Sequence, residues 1–549
     1  FAYTITGVSP ADLVGGESAL TGIAMIGGDG LAEIEVQLVA DATTEALEAL
    51  TMTFAGIGVS ASVDVNDTSV NAEHRFTTQP DDIEGNTFGN LFIGRVSNEA
   101  MTSGVASTYQ EGDAADGGTG GDNTLRLFMD PGSVGDGVEI SNIQNLDLRL
   151  NAGDSSVSTG STKLIMTDWD DSLEQIDIRS NKSTLEIREQ QTVTDISITD
   201  NSTDAANSGY SFNYAAGVVE GTEDRVSLTV DNVNGTGGSN VTFDEGIEAV
   251  DITVSDRDAA QYESNINLNA AGAGEIIVTG GNDGRSFTLN ADVEAGADFD
   301  STQFAGDMDL TSAKIETARF GAGDDTAVID GQADLATSSY NLGSGDNSIT
   351  IGIVEESDTD GLALGGKIVA SDGNDAVTVH GDVLATGSIA LGDGDNTIRV
   401  VDGGSDGAGD MLGSITVGDD TNTVAIDNDI GASAEDSATA ITFGDGDNTL
   451  AVGFSLDDDG TWSFTNGNDI KTANIQFGDG DNLVVVNNDI EDFADLSFGT
   501  GDNRILVGDE IHDDAIITFV GGNNTVEVLD FYSATAGTVV GVNLADVAD

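Results

Sequence analysis

The chain has 549 residues, 98 acidic against 17 basic, and a formal net charge of −81, with no Cys. Missing cysteines exclude disulfides and thiolate metal sites, and the lack of a basic patch excludes phosphate-neutralising contact with nucleic acid. No apolar run approaches bilayer length and no basic amphipathic helix is visible, so membrane insertion is not expected. Acidity on this scale suggests disorder, but 38% hydrophobic content in regular alternation argues for a folded all-β chain. The chain begins at Phe1 without a Met, which points to processing or to a fragment of something longer.

Residues 1–72 read as a small antiparallel domain. Ala32 to Val39 and Leu50 to Phe54 alternate cleanly, and a further strand runs from Val59 to Val65 before Asn66-Asp67-Thr68. Strands of this length separated by Gly turns predict a β-sandwich of the immunoglobulin-like type. Over residues 73–300 a second phrase recurs: one apolar residue, two spacers, then an alternating strand. Ile143 to Leu150 and Ile247 to Val254 show it, and Leu173 to Ile178 and Val193 to Ile198 follow the same outline. These fit the parallel strands of an irregular β-solenoid. No segment sustains a 3.6-residue period, so very little helix is expected.

Residues 301–530 are stricter. A nonapeptide, clearest as Gly392-Asp393-Gly394-Asp395-Asn396-Thr397-Ile398-Arg399-Val400, returns nine times. Its copies start at Gly321, Gly343, Ser371, Gly392, Gly418, Gly444, Gly478, Gly499 and Val520, at intervals of 21, 22, 26, 28 or 34 residues. A period of this length is the signature of a solenoid, whose units complete their core only by stacking. Apolar pairs two residues apart flank each turn, such as Ile389 and Leu391 before it and Ile398 and Val400 after it, and residues two apart share one face of a strand. A third apolar site, at Val383, Ile430, Leu456, Ile490 and Ile511, predicts another short strand per coil. The expected architecture is therefore an N-terminal sandwich followed by a long parallel β-solenoid of about 21-residue coils. Residues 531–549 lose the turn motif and read as a cap or docking segment.

The turns need Gly for tight reversals; their acids need another explanation. Equivalent residues of stacked coils lie about 4.8 Å apart, where two carboxylates repel by roughly 0.9 kcal/mol in water and about 3.5 at an effective dielectric of 20. Columns such as Asp395, Asp447, Asp481 and Asp502 would strain the fold unless side chains splay or cations intervene. Ca²⁺, with six to eight oxygen ligands and tolerant geometry, suits such turns better than Mg²⁺. General salt adaptation is the other source of acidity, and Asp457-Asp458-Asp459 lies in an insertion rather than a turn.

These residues resemble the calcium-binding RTX repeats of secreted bacterial proteins, whose nonapeptide is Gly-Gly-x-Gly-x-Asp-x-apolar-x. Gly117-Gly118-Thr119-Gly120-Gly121-Asp122 matches six positions, Asp372 to Val377 matches positions three to eight, and Ala322-Gly323-Asp324-Asp325 matches through the acid. Elsewhere Asp395-Asn396, Asp447-Asn448, Asp481-Asn482 and Asp502-Asn503 place Asn where that family has its calcium-ligating Asp. At those turns metal remains one option and a hydrogen-bonded Asn ladder the other. The order of Phe76-Thr77-Thr78, Asp81 to Asn86, Gly112-Asp113, the Gly117 motif and Ile143 to Leu150 is similar to RTX-type bacterial surface-layer proteins. The candidate Ca²⁺ ligands are Asp113, Asp122, Asp324, Asp325, Asp346, Asp372, Asp375, Asp393, Asp395, Asp419, Asp420, Asp445, Asp447, Asp479, Asp481 and Asp502.

That resemblance implies secretion without a cleaved leader and calcium-dependent assembly of copies of the chain into a lattice or filament on the cell exterior, with cell-surface polysaccharide as a further partner. An adhesin or host-recognition fibre, with the solenoid as stalk or ligand platform, is the alternative. Insertions at Asp402 to Gly413 and Gly453 to Asn474, the latter with Trp462 and Phe464, would decorate one face. Catalysis is not expected: His74, His380 and His512 are scattered, the lysines form no cluster with acids, and paired aspartates are too frequent to carry information.

Overall fold

The structure, a computed structural model, describes residues 1–10, 13–25, 34–38, 48–65, 72–87, 89–98, 105–151, 161–180, 184–200, 209–233, 238–255, 263–282, 284–330, 337–352, 363–401, 409–432, 439–456, 462–464, 467–491 and 493–529. Among them the fold is all-β apart from one 3-10 turn, Gly16–Ala19. No helix there is long and apolar enough to cross a membrane. The chain divides into two compact units, residues 1–196 with 213–218, and 197–212 with 219–549.

The first unit opens with one antiparallel sheet in the order Thr21–Ile23, Ala2–Thr6, Glu48–Phe54, Ser60–Val65. Ile5, Leu13 and Leu50 form its small core. The expected strands at Leu50 to Phe54 and Val59 to Val65 are there; residues 34–38 carry only a bridge from Leu38 to Leu13, and the rest of Ala32 to Val39 lies outside the described residues. Among the described residues these strands form one antiparallel sheet.

From Ala72 onward the pairing becomes parallel. Ala72–Arg75, Asn90–Val96, Thr124–Met129, Asn145–Leu150 and Gln175–Ser180 stack in register. A second face carries Val134–Gly135, Thr162–Ile165 and Thr184–Gln190, and a third carries Asp82–Glu84, Ala114–Asp116 and Glu139–Ser141. Alternation turns Phe92, Leu125, Leu127, Leu146, Leu148, Ile176 and Ile178 inward, all of them buried.

The second unit repeats this plan with greater regularity. One ladder runs from Arg225–Asp231 through Ala249–Val254 to Ile516–Phe519, and a second from Ser239–Phe243 to Thr525–Val528. The expected third site exists as a column of single bridges, Leu364, Val383, Met411, Ile430, Ile470, Ile490 and Ile511. Leu456 is not in it. After the insertion that follows Gly453 the chain rejoins the column at Ile470, while Leu456 lies in a hairpin of Phe454–Leu456 with Trp462–Phe464. Phe454 folds onto the outer side of the second ladder and covers Ala451, Val485 and Leu506.

Register survives these insertions. Phe443, Phe477, Phe498 and Phe519 stack face to face, with centroids 4.5, 4.6 and 5.0 Å apart, although 34 residues separate the first pair. Each pair adds about 0.5–1.5 kcal/mol beyond its burial. In-register parallel pairing is what turns a sequence repeat into columns of identical side chains, and so places the turns.

Candidate functional site: the columns of the Gly-Asp turns

Each turn of the second unit projects three side chains, two outward and one inward, and each kind forms its own column. The inner slot takes the fifth residue of each nonapeptide, and the strand that follows buries it. Asp325, Asn347, Asp375, Asn396, Asn422, Asn448, Asn482 and Asn503 are all buried there. The backbone N–H of each donates to the side-chain Oδ1 of the next: Asp325 to Asn347 at 3.0 Å, Asn347 to Asp375 at 3.1 Å, Asp375 to Asn396 at 3.0 Å, and on through Asn503 to Asn524 at 3.1 Å.

Where the slot holds Asn, the site is saturated. Asn396 donates Nδ2 to the carbonyls of Gly392 and Gly394, both at 3.0 Å, and to Asn422 Oδ1 at 2.9 Å. Asn422 repeats this with Gly418, Asp420 and Asn448. The amide nitrogen thus sits in a cage of three oxygens. Asp325 and Asp375 put a carboxylate oxygen in that place, and Oδ2 of both is buried without a hydrogen-bond partner. Burial, reinforced by Asp307 and Asp324, pushes the Asp325 carboxyl up to about 7 against the pull of the Met308 N–H. Burial likewise raises Asp375.

The two outer columns run the opposite way, with the later backbone N–H donating to the earlier carboxylate. In the first, Asp393 donates to Asp372 at 3.4 Å, Asp419 to Asp393 at 2.9 Å, Asp445 to Asp419 and Asp479 to Asp445 at 2.8 Å, and Thr500 to Asp479 at 2.6 Å. In the second, Asp324 donates to Asp307, Asp346 to Asp324, Asn374 to Asp346, Asp395 to Asn374 and Thr421 to Asp395, at 2.8–3.0 Å. Farther on, Asp481 donates to Asp447, Asp502 to Asp481 and Asn523 to Asp502. The expected stack of Asp395, Asp447, Asp481 and Asp502 is therefore interrupted by Thr421, and Asn374 separates Asp346 from Asp395. Neutral residues dilute the column, and each backbone N–H offsets part of one carboxylate's charge. The Thr500 and Asn523 donors hold Asp479 and Asp502 below the usual carboxylate range.

Three candidates stand apart from the columns. Asp420 occupies the place of Gly394, Gly446 and Gly480, with φ of 84°. Asp122, with φ of 70°, is exposed, and the buried slot beside it belongs to Asn123, whose Oδ1 accepts the Asn90 N–H at 2.9 Å. Asp113 is buried and accepts the N–H groups of Asp81 and Gln110, while burial raises its carboxyl.

A further acidic column, at the third face, escaped the sequence reading. Asp410 donates its N–H to Asp382, Asp429 to Asp410, Asp469 to Asp429, Asp489 to Asp469 and Glu510 to Asp489. Lys471 pairs with Asp429, and burial raises Asp410 and Asp489. The triplets Asn428-Asp429-Ile430, Asn468-Asp469-Ile470 and Asn488-Asp489-Ile490 were its available signal.

No protein-family model matches the chain, and neither the curated proteins nor the solved structures contain a match to it. The chemistry of the slots must carry the argument. Among the described residues no three His, Asp or Glu side chains converge as a ready-made metal centre. The donor set at Asp325 and Asp375 nevertheless fits a hard cation. Each offers an orphaned carboxylate oxygen, and by repeat position the carbonyls of Gly321 and Gly323, or of Ser371 and Gly373, take the places of Gly392 and Gly394 beside Asn396. At the Asn-filled slots the amide nitrogen already fills that position.

Proposed function

We propose that this chain is an extracellular structural protein, stabilised by Ca²⁺, whose copies assemble into a surface layer or filament. The observation that carries the reading is the pair of buried, unpartnered carboxylate oxygens at Asp325 and Asp375. Leaving an ionised group so placed is costly, and Ca²⁺ ligation by oxygens alone relieves it. The outer columns add open carboxylates at coil spacing, where further cations would bind more weakly. The parallel solenoid is compatible with RTX-type repeats, and we read the N-terminal antiparallel sheet as part of an immunoglobulin-like sandwich and the molecule as secreted. We read the turns as structural rather than catalytic.

The reading is tested by following melting temperature and particle size against Ca²⁺ from micromolar to tens of millimolar. Native-state binding raises stability by mass action, with the transition expected at about 0.1–1 mM, as for extracellular calcium modules. Equal heat resistance in strong chelator at low ionic strength overturns the calcium part. Stabilisation without growth in particle size overturns self-assembly and favours the second reading, an adhesin or host-recognition fibre, which draws on the open groove described next.

A further inference from the structure

The second ladder of the second unit has an outward row that changes character along the chain. Paired residue by residue, it reads Asn240, Asn267, Asn290, Thr311, Val328, Thr350, Thr378, Arg399, Ala425, Ala451, Val485, Leu506. At its far end the row is apolar, and Ala451, Val485 and Leu506 are covered by Phe454 of the inserted hairpin. At its near end it is made of amides and hydroxyls and floors an open groove of about 510 Å³. Thr242 and Asn269 line the same groove one row over.

The described lining of the groove carries little charge in a chain of net charge −81. Its one lining acid, Asp292, is paired with Lys314 at 2.6 Å. On the adjoining row, Asp309 accepts from Thr288 at 3.3 Å, and one row farther out Glu263 accepts from Ser286 at 2.8 Å. Asn267 Nδ2 donates to Asn240 Oδ1 at 3.1 Å, and Asn290 Nδ2 to Asn267 Oδ1 at 2.7 Å. That ladder holds the amides in place and leaves unused capacity at its ends. The Asn240 nitrogen, Asn290 Oδ1 and the side chains of Thr242, Asn269 and Thr311 have no partner among the described residues.

We infer that this groove binds an extended, neutral, β-linked polysaccharide. Amides and hydroxyls offer donors and acceptors together, which is what sugar hydroxyls require. They recur at about 4.8 Å per coil, close to the length of one β-linked hexose. An anionic polymer is repelled by the field of the chain, and a cationic one is drawn to the acidic columns instead. A peptide adding itself as a strand needs a free sheet edge, whereas these strands are paired on both sides. This gives the expected polysaccharide partner a definite place, and it does not depend on calcium at the turns.

The test is affinity electrophoresis and calorimetry of the full chain with hydroxyethylcellulose, a soluble neutral β-linked glucan, against dextran and polygalacturonate, at about 0.15 M salt. Retardation by hydroxyethylcellulose alone is expected, equally with Ca²⁺ and with chelator, which separates this result from the fate of the calcium reading. The double variant Asn267→Asp, Asn290→Asp should weaken binding by about tenfold or more, and Thr378→Val, on the same row outside the groove, should not change it. If the charged variant melts early, Asn269→Ala with Thr242→Val replaces it. Absence of retardation by hydroxyethylcellulose overturns the inference, as does equal binding by polygalacturonate or by folded groove variants.

Discussion

Two stretches of the inner column share one backbone and differ at one atom. From Asn396 to Asn503 every slot holds an amide, whose nitrogen donates to carbonyls of its own turn and, along the column, to the next side chain. At Asp325 and Asp375 that nitrogen is an oxygen with no partner. The same turn is thus self-sufficient where it holds an amide, at Asn347 too, and incomplete at the two aspartates on either side of Asn347. An oxygen-lined slot accepts an N–H without cost, but it needs a proton or a metal ion once its occupant is a carboxylate.

The sharpest way to break this contrast is to turn a complete slot into an incomplete one. Asn448→Asp leaves a buried carboxylate among oxygens and should cost about 3 kcal/mol, measured by denaturant unfolding in chelator, with partial recovery on adding Ca²⁺. If the variant unfolds like the parent in chelator, the two stretches are not chemically distinct. The reverse exchange, Asp325→Asn with Asp375→Asn, should stabilise the chelated protein by about 1–3 kcal/mol and flatten its response to calcium. It should also remove a pH dependence. The Asp325 carboxyl is raised to about 7 in the native state from about 3.9 unfolded, so between those values the native state holds a proton that the unfolded chain has lost. Parent stability in chelator should therefore fall as pH rises through that window and recover on acidification; a flat profile in the parent counts against the assignment. The smallest effect is expected outside. Asp445→Asn keeps its acceptor for the Asp479 N–H and removes like-charge contact with Asp419 and Asp479, so it should raise the melting temperature slightly at low ionic strength and not at about 1 M salt. A large effect that persists in salt would place these outer acids in a structural role.

Much of this was legible because the solenoid writes its period into the chain. Turn spacing and the paired apolar positions gave the coils, their inward faces and the slots. Asn after the second acid was readable as a departure from a calcium motif and as a hydrogen-bonding ladder, and the geometry supplies that ladder. What hydrophobicity could not tell was which residue resumes a column after an insertion. Leu456 is as apolar as Ile470, but only Ile470 follows an Asn-Asp pair like those before Ile430 and Ile490. Nor could spacing reveal that Thr421 and Asn374 separate charges, because stacking order is a property of neighbouring coils. At the N-terminus, alternation gave strands without saying how many layers they form.

The opposed hydrogen bonds of the inner and outer columns give the stack a built-in direction. A finished coil holds out carboxylate acceptors for backbone donors of the coil that follows, while its inner amide waits for an acceptor that only this successor brings. The opposite face of each coil carries the converse set, outer backbone donors and an inner Oδ1 acceptor, so the two ends of a stack are complementary and only a neighbour added head to tail answers both.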